Sequence, residues 1–176
     1  MGKNSTTSDI ERQNILNNPF ALQEIQKATH LKGLEYKGQF YLTKEQVAGF
    51  FEVDIRTIER YLDKNSQELK NNGYAILRGN SLQKLKLFLK DQDAPDMNVG
   101  SKVTQLGLFN FRAFVNISML LSESEPARIL RQTILDIVID TINQRTGGGT
   151  KYINQRDEDF ILSYFRIIKA ISGSGI

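Results

Sequence analysis

Three features of the sequence predict a mainly helical α+β protein. The first is the segment 42–62, LTKEQVAGFFEVDIRTIERYL, where apolar residues at helical spacing break at Glu52-Val53-Asp54 and then resume. The second is a pair of strand-like runs, 31–42 before that segment and 74–77 after it, each bounded by glycine-bearing turns. The third is a second half in which apolar helical patterns follow Asn110 and Pro126. Together they predict a winged helix-turn-helix domain with a short hairpin over residues 31–90. A tail and helices at 1–30 precede it, and a helical interaction or dimerisation domain at 102–176 follows.

Each element has its own signal. Ile10, Ile15, Leu16, Phe20, Leu22 and Ile25 suit one or two short helices interrupted near Pro19, behind a polar start at 1–9 that reads as disordered. Gly33 and Gly38 flank Tyr36, and Phe40 and Leu42 share a face, which predicts the hairpin. Thr43 offers an N-cap with Gln46 at the capping-box position. Asn72-Gly73 marks a turn, 74–77 a strand, and Arg78-Gly79-Asn80 a reversal. Leu82, Leu85 and Leu89 then favour a helix over 81–90. The segment 91–101, poor in apolar residues and holding Pro95 and Gly100, is the expected domain boundary. Beyond it, 103–108 reads as a strand and Asn110 as the cap of a helix. Ser122 and Glu125 read as a capping box around Pro126, opening a helix to about Asn143. Glycines 147–149 break the chain, and 155–172 suits a last helix.

Composition narrows the function. With 40% hydrophobic and 24% charged residues the chain matches a soluble globular protein with a real core. It has no cysteine, which excludes disulfides, thiolate metal sites and a cysteine nucleophile, and its one histidine, His30, argues against a Ser-His triad. No apolar leader or spanning segment is present, so a cytoplasmic location and no membrane are expected. The net charge of +3 is unevenly spread, for residues 31–90 carry eleven basic and seven acidic side chains. A local excess of that sign suits a polyanionic partner.

The chemistry is concentrated in 42–62. Two helices crossing steeply need a small residue at the contact, which Ala48 supplies, with Val47, Phe51, Val53, Ile58, Tyr61 and Leu62 as the apolar partners. Val53 plugs the elbow and Asp54 caps the second helix. Glu52 stands where such turns often carry a glycine of positive φ. Ile55, Arg56, Thr57, Glu59, Arg60 and Lys64 are left for the outer face. In major-groove docking Arg56 suits a bidentate contact to guanine, and Thr57 a phosphate or a thymine methyl. Arg60 and Lys64 suit phosphates, Thr43 and Lys44 a backbone clamp, and Arg78, Lys84 and Lys86 the wing's contacts to the duplex. The expected partner is therefore double-stranded DNA. No catalytic constellation assembles, so no enzyme, metal or cofactor is expected. The loop 146–151 lacks phosphate-loop spacing, and 156–159 reads as an acidic helical turn.

The stretch 42–62 followed by Asn72-Gly73-Tyr74-Ala75-Ile76-Leu77-Arg78-Gly79 resembles the RhuM-like, prophage-type DNA-binding proteins of bacteria. Leu106-Gly107-Leu108-Phe109 through Arg128, Arg131, Leu135, Asp136 and Ile137 looks like the same group and like phage antirepressors. The resemblance covers roughly 40–160. It implies a nucleoid-associated transcriptional regulator of a prophage or mobile element. It also implies, as the alternative, an antirepressor- or antitoxin-like module whose second-half helices bind a repressor or a Fic- or Doc-type toxin. The apolar span of 126–143 predicts a homodimer through that helix.

Overall fold

The computed structural model describes residues 8–92 and 99–146. Helices α1 (Asp9–Leu16) and α2 (Pro19–Thr29) lead into a hairpin of β1 (Leu34–Tyr36) and β2 (Gln39–Thr43). Then come α3 (Lys44–Phe51), α4 (Ile55–Lys64), the short α5 (Ser66–Asn71), β3 (Tyr74–Arg78) and α6 (Gly79–Asp91). Beyond lie β4 (Gln105–Asn110), α7 (Phe111–Leu120) and α8 (Glu125–Thr146). The expected α+β class is what is seen.

Local sequence explains where most helices begin. Pro19 opens α2, and the Asn18 side chain accepts from the Ala21 amide at 3.1 Å. Thr43 and Gln46 form the expected reciprocal box: the Gln46 amide donates to Thr43 Oγ1 at 3.2 Å and the Thr43 amide to Gln46 Oε1 at 2.9 Å. Asp54 accepts from the Arg56 amide at 2.8 Å, and Asn110 from the Ala113 amide at 2.8 Å. The cap of α8 differs from expectation. Ser124, not Ser122, accepts from the Ala127 amide, and its hydroxyl also donates to the Phe51 carbonyl at 2.6 Å. Glu125 turns to Arg128 instead of closing a box.

The four strands form one antiparallel sheet in the order β1-β2-β4-β3. Strand β4 is central: Leu108 lies between Thr43 and Ala75, and Phe109 between Leu42 and Tyr74. Alternation sends Phe109, Leu42 and Tyr74 into the main core, which also holds Phe51, Ile58, Phe114, Ile117, Leu130 and Ile134. Leu108 faces the other way, onto Leu34, Leu85 and Leu89 beneath α6. Gly73 makes the entry to β3 possible. Its φ is +107°, and a Cβ there would fall 2.0 Å from the side-chain nitrogen Nδ2 of Asn110.

This topology changes two expectations. The segment 91–101 falls between α6 and β4, yet the chain on both sides of it contributes to one sheet and one core, because β4 inserts between β2 and β3. The reversal at Arg78-Gly79-Asn80 leads into α6, so β3 does not return directly as the second strand of a wing hairpin; its partner β4 comes after the helix. The expected strand at 103–108 runs Gln105–Asn110 instead. Of the polar start, Asp9 already belongs to α1. The glycine break, the loop to Lys151, the acidic run 156–159 and the last helix lie outside the described residues, apart from Thr146.

Candidate nucleic-acid interface

Helices α3 and α4 meet around small and apolar side chains. Val47, Ala48, Phe51, Ile58 and Leu62 are buried, and Val53, Ile55 and Tyr61 pack half-buried against them. Burying Ile58 alone contributes roughly 1.5–3 kcal/mol, so the crossing is firmly set. In the turn the Val53 amide donates to the Ala48 carbonyl at 3.1 Å, and Glu52 takes φ +54°. A non-glycine in that region costs roughly 1 kcal/mol. The crossing expected from 42–62 is present, with Glu52 in the left-handed conformation.

The apolar stripe of α4 turns Arg56, Glu59, Arg60, Asp63 and Lys64 outward, all exposed. Arg56, Arg60 and Lys64, at successive intervals of four, form one row along the helix. Arg56 and Lys64 have no ion-pair partner among the described residues. Arg60 does: its Nη2 donates to both carboxylate oxygens of Glu123, at 2.5 and 2.7 Å. Glu123 sits in the α7–α8 loop, which is fastened to α4 by Tyr61 Oη and Ser122 Oγ, 3.0 Å apart. It is fastened to α3 by the Ser124 hydroxyl on the Phe51 carbonyl. From α8, the Arg131 guanidinium donates to the carbonyls of Ser118 and Leu121 at the end of α7. Nothing in the local sequence announces Glu123 as a neighbour of Arg60, 63 residues away.

The remaining expected contacts divide. Thr43 is buried, its hydroxyl spent on the cap. Lys44 donates to Glu59 Oε1 at 2.8 Å, a bond that raises its pKa. Ile55 packs on the core, while Thr57 is half-buried beside the exposed row. Arg78 is exposed at the end of β3, and Lys84 is exposed on α6. Lys86 is drawn onto the carbonyls of Val103 at 2.7 Å and Ser101 at 3.3 Å, which ties α6 to the approach of β4. Missed in the sequence was Lys70, which with Tyr74, Ala75, Ile76 and Arg78 lines a shallow groove along β3.

No helix among the described residues is long and apolar enough to cross a membrane. No family model, curated protein or solved structure matches the chain.

Proposed function

We propose that α3, the Glu52–Asp54 turn and α4 form a DNA-binding helix-turn-helix, and that the protein is a sequence-specific regulator of the RhuM-like, prophage type. The observation that carries this reading is the outer row of α4, where Arg56 and Lys64 stand exposed with no ion-pair partner among the described residues, on a helix whose other side is firmly buried. A row of that kind fits a major groove, the N-terminal Arg56 and Thr57 toward base edges and Lys64 toward phosphate. Arg78 and, once released from Glu59, Lys44 are the backbone contacts of this reading; Lys84 is left out of it, because α6 packs on the opposite face of the sheet from the core of α3 and α4.

The test is a salt titration of binding to mixed duplex fragments, comparing the wild type with Arg56→Ala/Lys64→Ala. Binding that weakens steeply with salt, and a double variant that folds normally, binds far less and shows a salt slope shallower by roughly 1–2, support the reading. Absence of duplex binding at low salt, or binding indifferent to the double substitution, overturns it.

A further inference from the structure

The sheet has two edges, and they are unlike. Strand β1 is three residues long, with Glu35 at its middle and Lys37 in the turn that follows. Strand β3 is longer, and between Tyr74 and Leu77 it carries no charge and no proline, so it lacks the usual devices that keep an edge from pairing. Ala75, Ile76 and Arg78 are exposed, Ile76 to 40%. The Asn110 amide bonds the Gly73 carbonyl. That fixes the alternation of the β3–β4 ladder: Ala75 and Leu77 bond to β4, while the amides and carbonyls of Tyr74, Ile76 and Arg78 point away from it.

We propose that this edge pairs with β3 of a second copy of the chain, antiparallel, across a two-fold axis at Ile76, joining two sheets into one. The register follows from the chemistry. With Ile76 opposite Ile76, the two exposed apolar side chains cover each other on the axis. Tyr74 then falls opposite Arg78, and Ala75 opposite Leu77, a small residue facing a large one. Arg78 is brought beside Tyr74, whose buried ring carries its hydroxyl over Gly107 and whose electrostatic surroundings hold Glu45, Glu59 and Asp63 against Lys44. The two Arg78 side chains are four residues apart along the ribbon, about 13 Å, which is beyond the screening length of about 8 Å. Lys70 remains at the rim of the groove. A point-symmetric contact of one patch with itself closes at two copies. This inference makes no use of the outer row Arg56–Arg60–Lys64; it shares Arg78 with the DNA-binding reading, and Glu59 and Asp63 of α4 enter only as surroundings of Tyr74.

The chain has no cysteine, so single-cysteine variants report contacts cleanly. Sedimentation over a range of concentrations should show a monomer–dimer equilibrium. Ile76→Lys, which sets two ammonium groups face to face on the axis, should weaken it by about tenfold or more. Ile76→Cys treated with a short bismaleimide should become a covalent dimer, since residues opposite each other in such a ladder have Cα atoms about 5.5 Å apart. Ile139→Cys, on the exposed side of α8, should stay monomeric under the same treatment. A wild type that stays monomeric throughout, a dimer that survives Ile76→Lys, or cross-linking through residue 139 and not 76 overturns the proposal. Should the lysine variant fail to fold, the cysteine pair decides alone.

Discussion

The charged groups packed between α1, α5 and α7 and those along the outer row of α4 are of the same kinds, and they differ in what answers them. Arg12 is buried, and its guanidinium grips Glu68 with Nε on Oε1 and Nη2 on Oε2, both at 2.8 Å. Asn116 donates to Glu68 at 2.7 Å. Asn72, itself buried, joins Gln13, Asn116, Arg112 and the Glu68 carbonyl. Arg112 reaches on to the Leu16 carbonyl and the Asn17 side chain. This network binds three helices together. On α4 the same residue types face solvent, with two of three cations unanswered. Charge that is consumed by its own fold stabilises; charge left over is available to a partner.

Breaking the consumed set should give the largest effect. Arg12→Ala strands the partly buried Glu68 carboxylate, and we expect a loss of about 2–3 kcal/mol of stability, read by urea unfolding. Its DNA affinity at temperatures where it stays folded should be unchanged. A variant as stable as the wild type would remove the contrast on which the comparison rests.

The same pair predicts a pH dependence. Burial works against the charged Glu68, but hydrogen bonds from Arg12 and Asn116 and the Arg12 charge outweigh it, so its pKa lies below the ordinary carboxylate value. A carboxyl depressed in the folded state contributes stability above its unfolded pKa of about 4.3, and that stability is lost as pH falls through the lower folded value. Unfolding followed from pH 6 downward should therefore show a component that disappears in Glu68→Gln. An identical pH profile for the two proteins would refute the assignment.

Next in size is the turn that aims α4. Replacing Glu52, at φ +54°, with glycine relieves left-handed strain and should stabilise by about 1 kcal/mol, seen as a higher midpoint in the same denaturation. Affinity for duplex should stay within about twofold, because neither the crossing nor the outer row changes. A large loss of binding would mean that the turn itself touches the ligand.

What could be read from the sequence was what is local. Caps at Thr43, Asp54 and Asn110 lie two or three residues from the amides they satisfy. The crossing at Ala48 is written in one 21-residue stretch, 42–62. What escaped was set by distant chain. The insertion of β4 between β2 and β3 depends on hydrogen bonds that any extended segment of suitable alternation can make, and so the sequence read as two domains with a wing. Likewise Arg60 looked as free as Arg56, since its partner Glu123 is brought near only by the packing of α7 and α8. The expected use of α8 for dimerisation rests on an apolar span of which Ala127, Ile129, Leu130 and Ile134 are buried within the chain, Leu135, Ile137 and Val138 are half-buried and Ile139 is exposed.

The smallest expected effect bears most directly on the boundary between the two kinds of charge. The Arg60–Glu123 pair is exposed on both sides, 60% and 49%, so it adds about 0–1 kcal/mol to stability and is readily opened. It holds Arg60 away from the availability that Arg56 and Lys64 have. Glu123→Gln removes the countercharge while keeping the shape and a hydrogen-bonding oxygen. We expect unfolding within about 0.5 kcal/mol of wild type, with duplex affinity higher by about two- to fivefold at low salt and a salt slope steeper by about 0.9 as one more cation meets the phosphates. The gain should vanish in Glu123→Gln/Arg60→Ala, which separates release of Arg60 from a general drop in negative charge. If Glu123→Gln instead weakens binding, the carboxylate is holding Arg60 in its working position, and the pair belongs with the consumed charges of the α1–α5–α7 network.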